Sequence, residues 1–199
     1  YQLCKVLKYI HSAGITNGNL KPSNVLINSE CIIKLHDFSE AQVIADDDNE
    51  KIKEELKRHD DGRVKLKWYR SPERILGSMK HWEGDDLWAV GCIVAEMIEE
   101  RPLFPANSTM NQLDRILEVT GMPSKEDLDE IQSPFASTML ETLPSEQQHI
   151  LAEKVPHATD EALDFMTRLL TLNPKKRMTA EDALILSWVA EFHCAANEG

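Results

Sequence analysis

Two stretches decide how this chain is read: GITNGNLKPSNVLI at residues 14–27 and KLHDFSEAQ at residues 34–42. Ahead of the first, Leu3, Val6, Leu7 and Ile10 share one face at helical spacing. Residues 1–12 therefore read as an amphipathic helix that Gly14 stops. Residues 25–28 and 31–35 are short β-type runs separated by a polar turn, which predicts a hairpin. Asn17-Gly18 on its own is a turn-forming dipeptide. Asp37, just past the second run, reads on its own either as a cap or solvated carboxylate or as a functional acid.

Outward from these stretches, 199 residues suit one domain or a large part of one, and 42% hydrophobic residues suffice for a core. A formal charge of −12 argues against nucleic acid and anionic membrane as partners and favours protein partners or basic peptides. Cys4, Cys31, Cys92 and Cys194 form no CxxC pair, so they read as small apolar residues in a reducing compartment. No apolar run reaches membrane-spanning length; the longest, residues 87–98, is broken by Glu96. The expected location is intracellular, cytoplasmic or nuclear. The chain opens at Tyr1 inside a helical pattern, which suggests a fragment or a truncated gene model.

Residues 45–61 are charged throughout and read as a solvated loop or short exposed helix. Residues 85–99 are apolar on nearly every side (Trp88, Val90, Ile93, Val94, Met97), the pattern of a helix buried mid-domain. Residues 109–119 are helical, with Thr109 and Gln112 as the expected capping box and Gly121 as the stop. Short helical pieces between prolines fill residues 123–156. Leu163, Met166, Leu169 and Leu170 form one stripe of a helix over residues 160–172, and Thr-x-x-Asp starts another at Thr179. The expected fold is mainly α with one small β-hairpin.

Several motifs occur in a fixed order. Leu20-Lys21-Pro22-Ser23-Asn24 leads to the hairpin and Asp37-Phe38. Trp68-Tyr69-Arg70-Ser71-Pro72-Glu73 follows, then Asp86-x-Trp88 with Gly91-Cys92-Ile93, then Pro102-Leu103-Phe104-Pro105 and Asn173-Pro174-x-x-Arg177. Together they resemble the C-terminal lobe of a eukaryotic Ser/Thr protein kinase, nearest to the mitogen-activated protein kinases. Residues 21–28 suggest the atypical extracellular-signal-regulated branch. The resemblance covers almost the whole chain. It implies a partial kinase domain over residues 1–199, an activation segment over 37–73 and a family-type insert over 122–158. No Gly-rich loop or Val-Ala-x-Lys strand occurs, so the small lobe that covers ATP is expected to be absent.

The resemblance also implies roles. Phosphoryl transfer rests on positioning and charge neutralisation, with ATP and Mg²⁺ as the family's cofactors. Lys21 stands where a lysine neutralises the moving phosphoryl group; Asn24 and Asp37 stand where magnesium is held. The catalytic His-Arg-Asp triplet falls on Asn17-Gly18-Asn19, so Asn19 replaces the aspartate base. A neutral amide cannot accept that proton, a loss of about 10²–10⁴-fold. Ser39 replaces the glycine of Asp-Phe-Gly and is expected to restrict how Asp37 points. Leu66 replaces a tethering threonine. The two sites for phosphorylation are missing around Asp61-Gly62-Arg63, and the arginines that would receive phosphate are Gly18 and Gln42. Acidic mimicry by Asp60 and Asp61 would find few partners.

Frame residues, by contrast, match. Glu73 and Arg177 match a buried ion pair, and Asp86 matches the acceptor of catalytic-loop N–H groups. The residues alone also allow a solvated helix-start acid and a surface arginine at Asp86 and Arg177. Three readings of function follow. The favoured one is a catalytically inactive kinase lobe serving as a protein-binding module, with doubtful ATP and Mg²⁺ binding and an exposed apolar face near Val25, Ile27 and the first helix. The others are a piece of a longer, weakly active kinase and a non-functional gene remnant.

Overall fold

The computed structural model describes residues 1–44, 68–78, 83–143 and 150–194. The expected loop or helix at 45–61, Leu66, and Asp60 to Arg63 lie outside the described residues.

The centre is helix α3 (Gly84–Glu99), which follows α1 (Gln2–Ser12) and the short α2 (Pro72–Ile75). From Asp85 to Ala95 every residue of α3 is buried, as an all-round apolar sequence requires. Trp88 stacks on Phe104 with ring centroids 5.8 Å apart. Farther along come α4 (Thr109–Thr120), α5 (Lys125–Ile131), α6 (Ala136–Glu141), α7 (Leu151–Lys154), α8 (Asp160–Leu169) and α9 (Ala180–Ile185). Helix α8 turns Phe165, Met166 and Leu169 inward against α3. A Cβ on Gly91 would come within 2.8 Å of the Leu170 side chain, so only glycine lets α3 and the end of α8 approach this closely.

Helix boundaries follow local chemistry. Thr179 and Asp182 form the expected reciprocal cap of α9, and Ser124 with Asp127 forms another at α5. Helix α4 departs by one residue. Its cap is Ser108, whose hydroxyl accepts from the Asn111 N–H, while Thr109 is already helical and Gln112 is buried. A serine before a threonine offers two candidates, and the extended backbone at Ser108 decides between them.

The expected hairpin is present as β2 (Val25–Ile27) paired antiparallel with β3 (Ile33–Leu35). A second pair joins β1 (Ile15–Thr16) to β4 (Gln42–Val43). Two residues per strand give no alternation to read, so this pairing is not legible from pattern alone. It brackets the loop between α1 and β2 and brings it against residues 37–41, which builds the cleft.

Candidate functional site

Asp86, in the first turn of α3, organises the cleft from below. Its carboxylate is almost fully buried and accepts from Asn17 N (2.8 Å), Gly18 N (3.0 Å) and His11 Nε2 (3.0 Å). The backbone of the Asn17-Gly18-Asn19 loop is thereby fixed to the central helix. His11, which closes this arrangement from α1, carried no motif signal.

Gly18 turns the loop with φ of +71°, and a Cβ there would lie 2.6 Å from the Glu40 carbonyl oxygen. Gly18, where the resemblance leads one to expect a phosphate-receiving arginine, therefore has no room for a side chain. Gln42, the second such position, lies in β4 with its Oε1 buried and without a hydrogen-bond partner among the described residues.

A cleft of about 480 Å³ opens above this loop, lined by Asn19, Lys21, Asp37, Ser39, Arg70 and Asp85 among others. Asn19 and Asp37 line its rim, with the buried Asn24 behind Asn19. Asn24 Nδ2 donates to the Asn19 carbonyl (2.8 Å), and Asn17 Nδ2 donates to the Asp37 carbonyl (3.1 Å). Asp37 has φ of +66°, a left-handed conformation that aspartate tolerates better than most residues. One carboxylate oxygen, Oδ1, accepts from Ser39 Oγ (2.5 Å) and Ser39 N (3.1 Å); the other accepts from Asn19 Nδ2 (3.2 Å). The Ser39 hydroxyl, then its N–H, hold the Asp37 carboxyl below the usual carboxylate range, with the charges of Lys21 and His36 adding to this.

Beneath the cleft lies a buried charge cluster. Arg177 meets Glu73 in a bidentate pair, with Nη1 to Oε1 at 2.6 Å and Nη2 to Oε2 at 2.8 Å. Both side chains are fully buried. Arg177 also donates to the carbonyls of Thr171 (2.9 Å), Gly84 (2.7 Å) and Leu172 (3.2 Å). Five acceptors thus match the five N–H groups of a guanidinium. Its carbon lies 5.2 Å from the Trp88 ring centroid, adding a cation–π contact. Burial alone would raise the Glu73 carboxyl, but the charge and hydrogen bonds of Arg177 hold it down.

Asp85 is the residue that motif reasoning passed over. Its Oδ1 accepts from Ser71 Oγ (2.6 Å), and Arg74 lies 3.6 Å from its Oδ2. Burial and the neighbouring Glu73 charge push its carboxyl well up, against the pull of Arg74 and Ser71. Two adjacent acids at the start of α3 thus have different roles: Asp86 holds the loop, and Asp85 supports Ser71 beneath the cleft.

The profile described as "Protein kinase domain" matches residues 1–189. Extracellular signal-regulated kinase 2 of Dictyostelium discoideum is 49% identical over 201 residues, covering 100% of this chain and 53% of that protein. Mitogen-activated protein kinase 15 of Xenopus laevis is 38% identical over 199 residues, covering 100% of this chain and 33% of the relative. Mitogen-activated protein kinase spk1 of Schizosaccharomyces pombe is 38% identical over 199 residues, with coverages of 100% and 52%. The chain therefore spans from a third to about half of these relatives' lengths.

Proposed function

The chain belongs to the protein kinase family, and from that premise we propose that it is a mitogen-activated-protein-kinase-like lobe without phosphoryl-transfer activity, serving as a protein-binding module. One observation carries the reading: Asn19, which falls where the resemblance puts the catalytic base, donates its amide hydrogen to Asp37. A neutral amide has no basic atom, so it cannot take the proton of a substrate hydroxyl, and here its N–H is already spent on Asp37. The frame around it fits a binding role, because Asp86 and the Glu73–Arg177 pair hold loop and cleft in shape. A protein partner suits the exposed apolar side chains on α1 and the hairpin, where Tyr9 is 70% and Ile27 67% exposed. Among the described residues, no helix is long and apolar enough to cross a membrane.

A second reading rests on length. The relatives are about two to three times as long as this chain, so a longer protein carrying these residues could complete the ATP cleft and retain weak Ser/Thr kinase activity. In the family, ATP and magnesium serve that chemistry. An upstream Gly-rich loop and strand lysine in the reading frame would favour this alternative.

Labelled ATP and a Ser/Thr-Pro peptide separate the two readings, with Lys21→Ala as control. The proposed function predicts equal background transfer by both chains. Turnover by the native chain that Lys21→Ala abolishes would contradict it.

A further inference from the structure

The family assignment makes Asp37 the expected magnesium ligand, and the hydrogen bonds around it do not fit that role. Magnesium demands near-octahedral oxygen ligands at about 2.0–2.1 Å and keeps its waters unless strong anionic oxygens are free. Three donors occupy the Asp37 carboxylate, two on Oδ1 and one on Oδ2, so Oδ1 is saturated and Oδ2 keeps one acceptor direction beside an amide. Ser39 supplies Oδ1 with two donors, its hydroxyl at 2.5 Å and its N–H at 3.1 Å. Asn19 supplies Oδ2 with an amide N–H at 3.2 Å. A cation approaching Oδ2 meets amide hydrogens of its own sign of charge. The second expected ligand, Asn24, is tied through its amide nitrogen to the Asn19 carbonyl at 2.8 Å; this bond does not engage the Asn24 Oδ1, the atom that would ligate, so the exclusion rests on Asp37. Asn19 and Ser39, two of the positions at which this loop pair departs from the kinase pattern, both donate to the same carboxylate.

We propose that Asn19 and Ser39 act together as a neutral clasp that closes Asp37 to divalent cations, leaving the cleft without a metal site. The clasp satisfies the carboxylate by hydrogen bonds, the task a metal would otherwise perform electrostatically. Aspartate at position 19 would reverse this. Its carboxylate would lie beside that of Asp37, and two like charges so close favour a bridging cation. Glycine at position 39 would free one of the Oδ1 contacts.

The test is an Mn²⁺ titration of the full chain followed by electron paramagnetic resonance, with no nucleotide present. The native chain should show no binding that Asp37→Asn removes. Asn19→Asp/Ser39→Gly should take up one Mn²⁺ at least about tenfold more tightly, in line with what metal-site neighbours contribute. Asn19→Ala/Ser39→Ala, which introduces no charge, should gain in the same direction and keeps the result readable if the first variant folds poorly. One Mn²⁺ bound by the native chain and lost in Asp37→Asn would overturn the proposal. Equal, negligible binding by the native chain and both double variants would also overturn it, because the two side chains would then not be what excludes the metal. The reading of an inactive lobe stands or falls separately, on the ATP assay.

Discussion

The charged groups under the cleft and those at its rim are satisfied in opposite ways. Below, Arg177 and Glu73 are fully buried, and each charge is answered by an opposite charge. At the rim, Asp37 is solvent-accessible, and its contacts at hydrogen-bond distance are neutral: an amide, a hydroxyl and a backbone N–H. A buried ion must be paired or the fold fails, whereas an exposed one need not be. The lower cluster therefore constrains the sequence through folding, and the rim constrains it only through chemistry. A kinase lobe can lose its rim chemistry and keep its shape.

The contrast is sharpest in stability. Arg177→Ala leaves Glu73 buried without its partner and strips the face of Trp88; it should cost about 3–5 kcal/mol in urea denaturation. A loss near zero would mean the cluster is not what holds the fold. Gly91→Val forces a side chain into Leu169 and Leu170 and should cost about 1–3 kcal/mol, read as a drop in melting temperature. Gly18→Arg, the apparent repair of a phosphate-receiving position, must place a side chain at positive φ against the Glu40 carbonyl. A loss of about 1–2 kcal/mol is expected. Native-like stability of that variant would show that the rim loop yields as easily as an open surface.

Asp85→Asn addresses the boundary between the two regions. The folded state raises the Asp85 pKa, so native stability falls as pH rises from the ordinary carboxylate range through the folded value. Asparagine stays neutral and can still accept from Ser71. The variant should melt higher than the native chain at about pH 8, with the gap closing towards about pH 4. A gap that widens on acidification would reverse the assignment and make Asp85 a charged member of the cluster.

Much of this frame was legible in the sequence because its signals are long or chemically narrow. The all-round apolar run around Trp88 requires a buried helix. Motif order linked Glu73 to Arg177 across 104 positions, and the structure joins them. The resemblance also assigned Asp86 its place under the loop, where it accepts two backbone N–H groups. What escaped detection depends on backbone geometry. The Asn19–Asp37–Ser39 contacts are made with Asp37 at positive φ, a value that no side-chain pattern encodes. Pairing of Ile15–Thr16 with Gln42–Val43 is too short for periodicity. Asp85 read as one of two acids in a helix's first turn, because burial and the proximity of Ser71 come from the packing of another segment. The Ser108 cap was displaced by one residue because two hydroxyls are adjacent.

The central claim, that the buried cluster holds the fold and the rim carriers of chemistry do not, is tested most directly by urea denaturation of Arg177→Ala and Asp37→Asn side by side. The expected result is a strongly lowered midpoint for Arg177→Ala and a midpoint close to native for Asp37→Asn. Equal losses in the two variants would contradict it, since Asp37 would then be as structural as the pair beneath it.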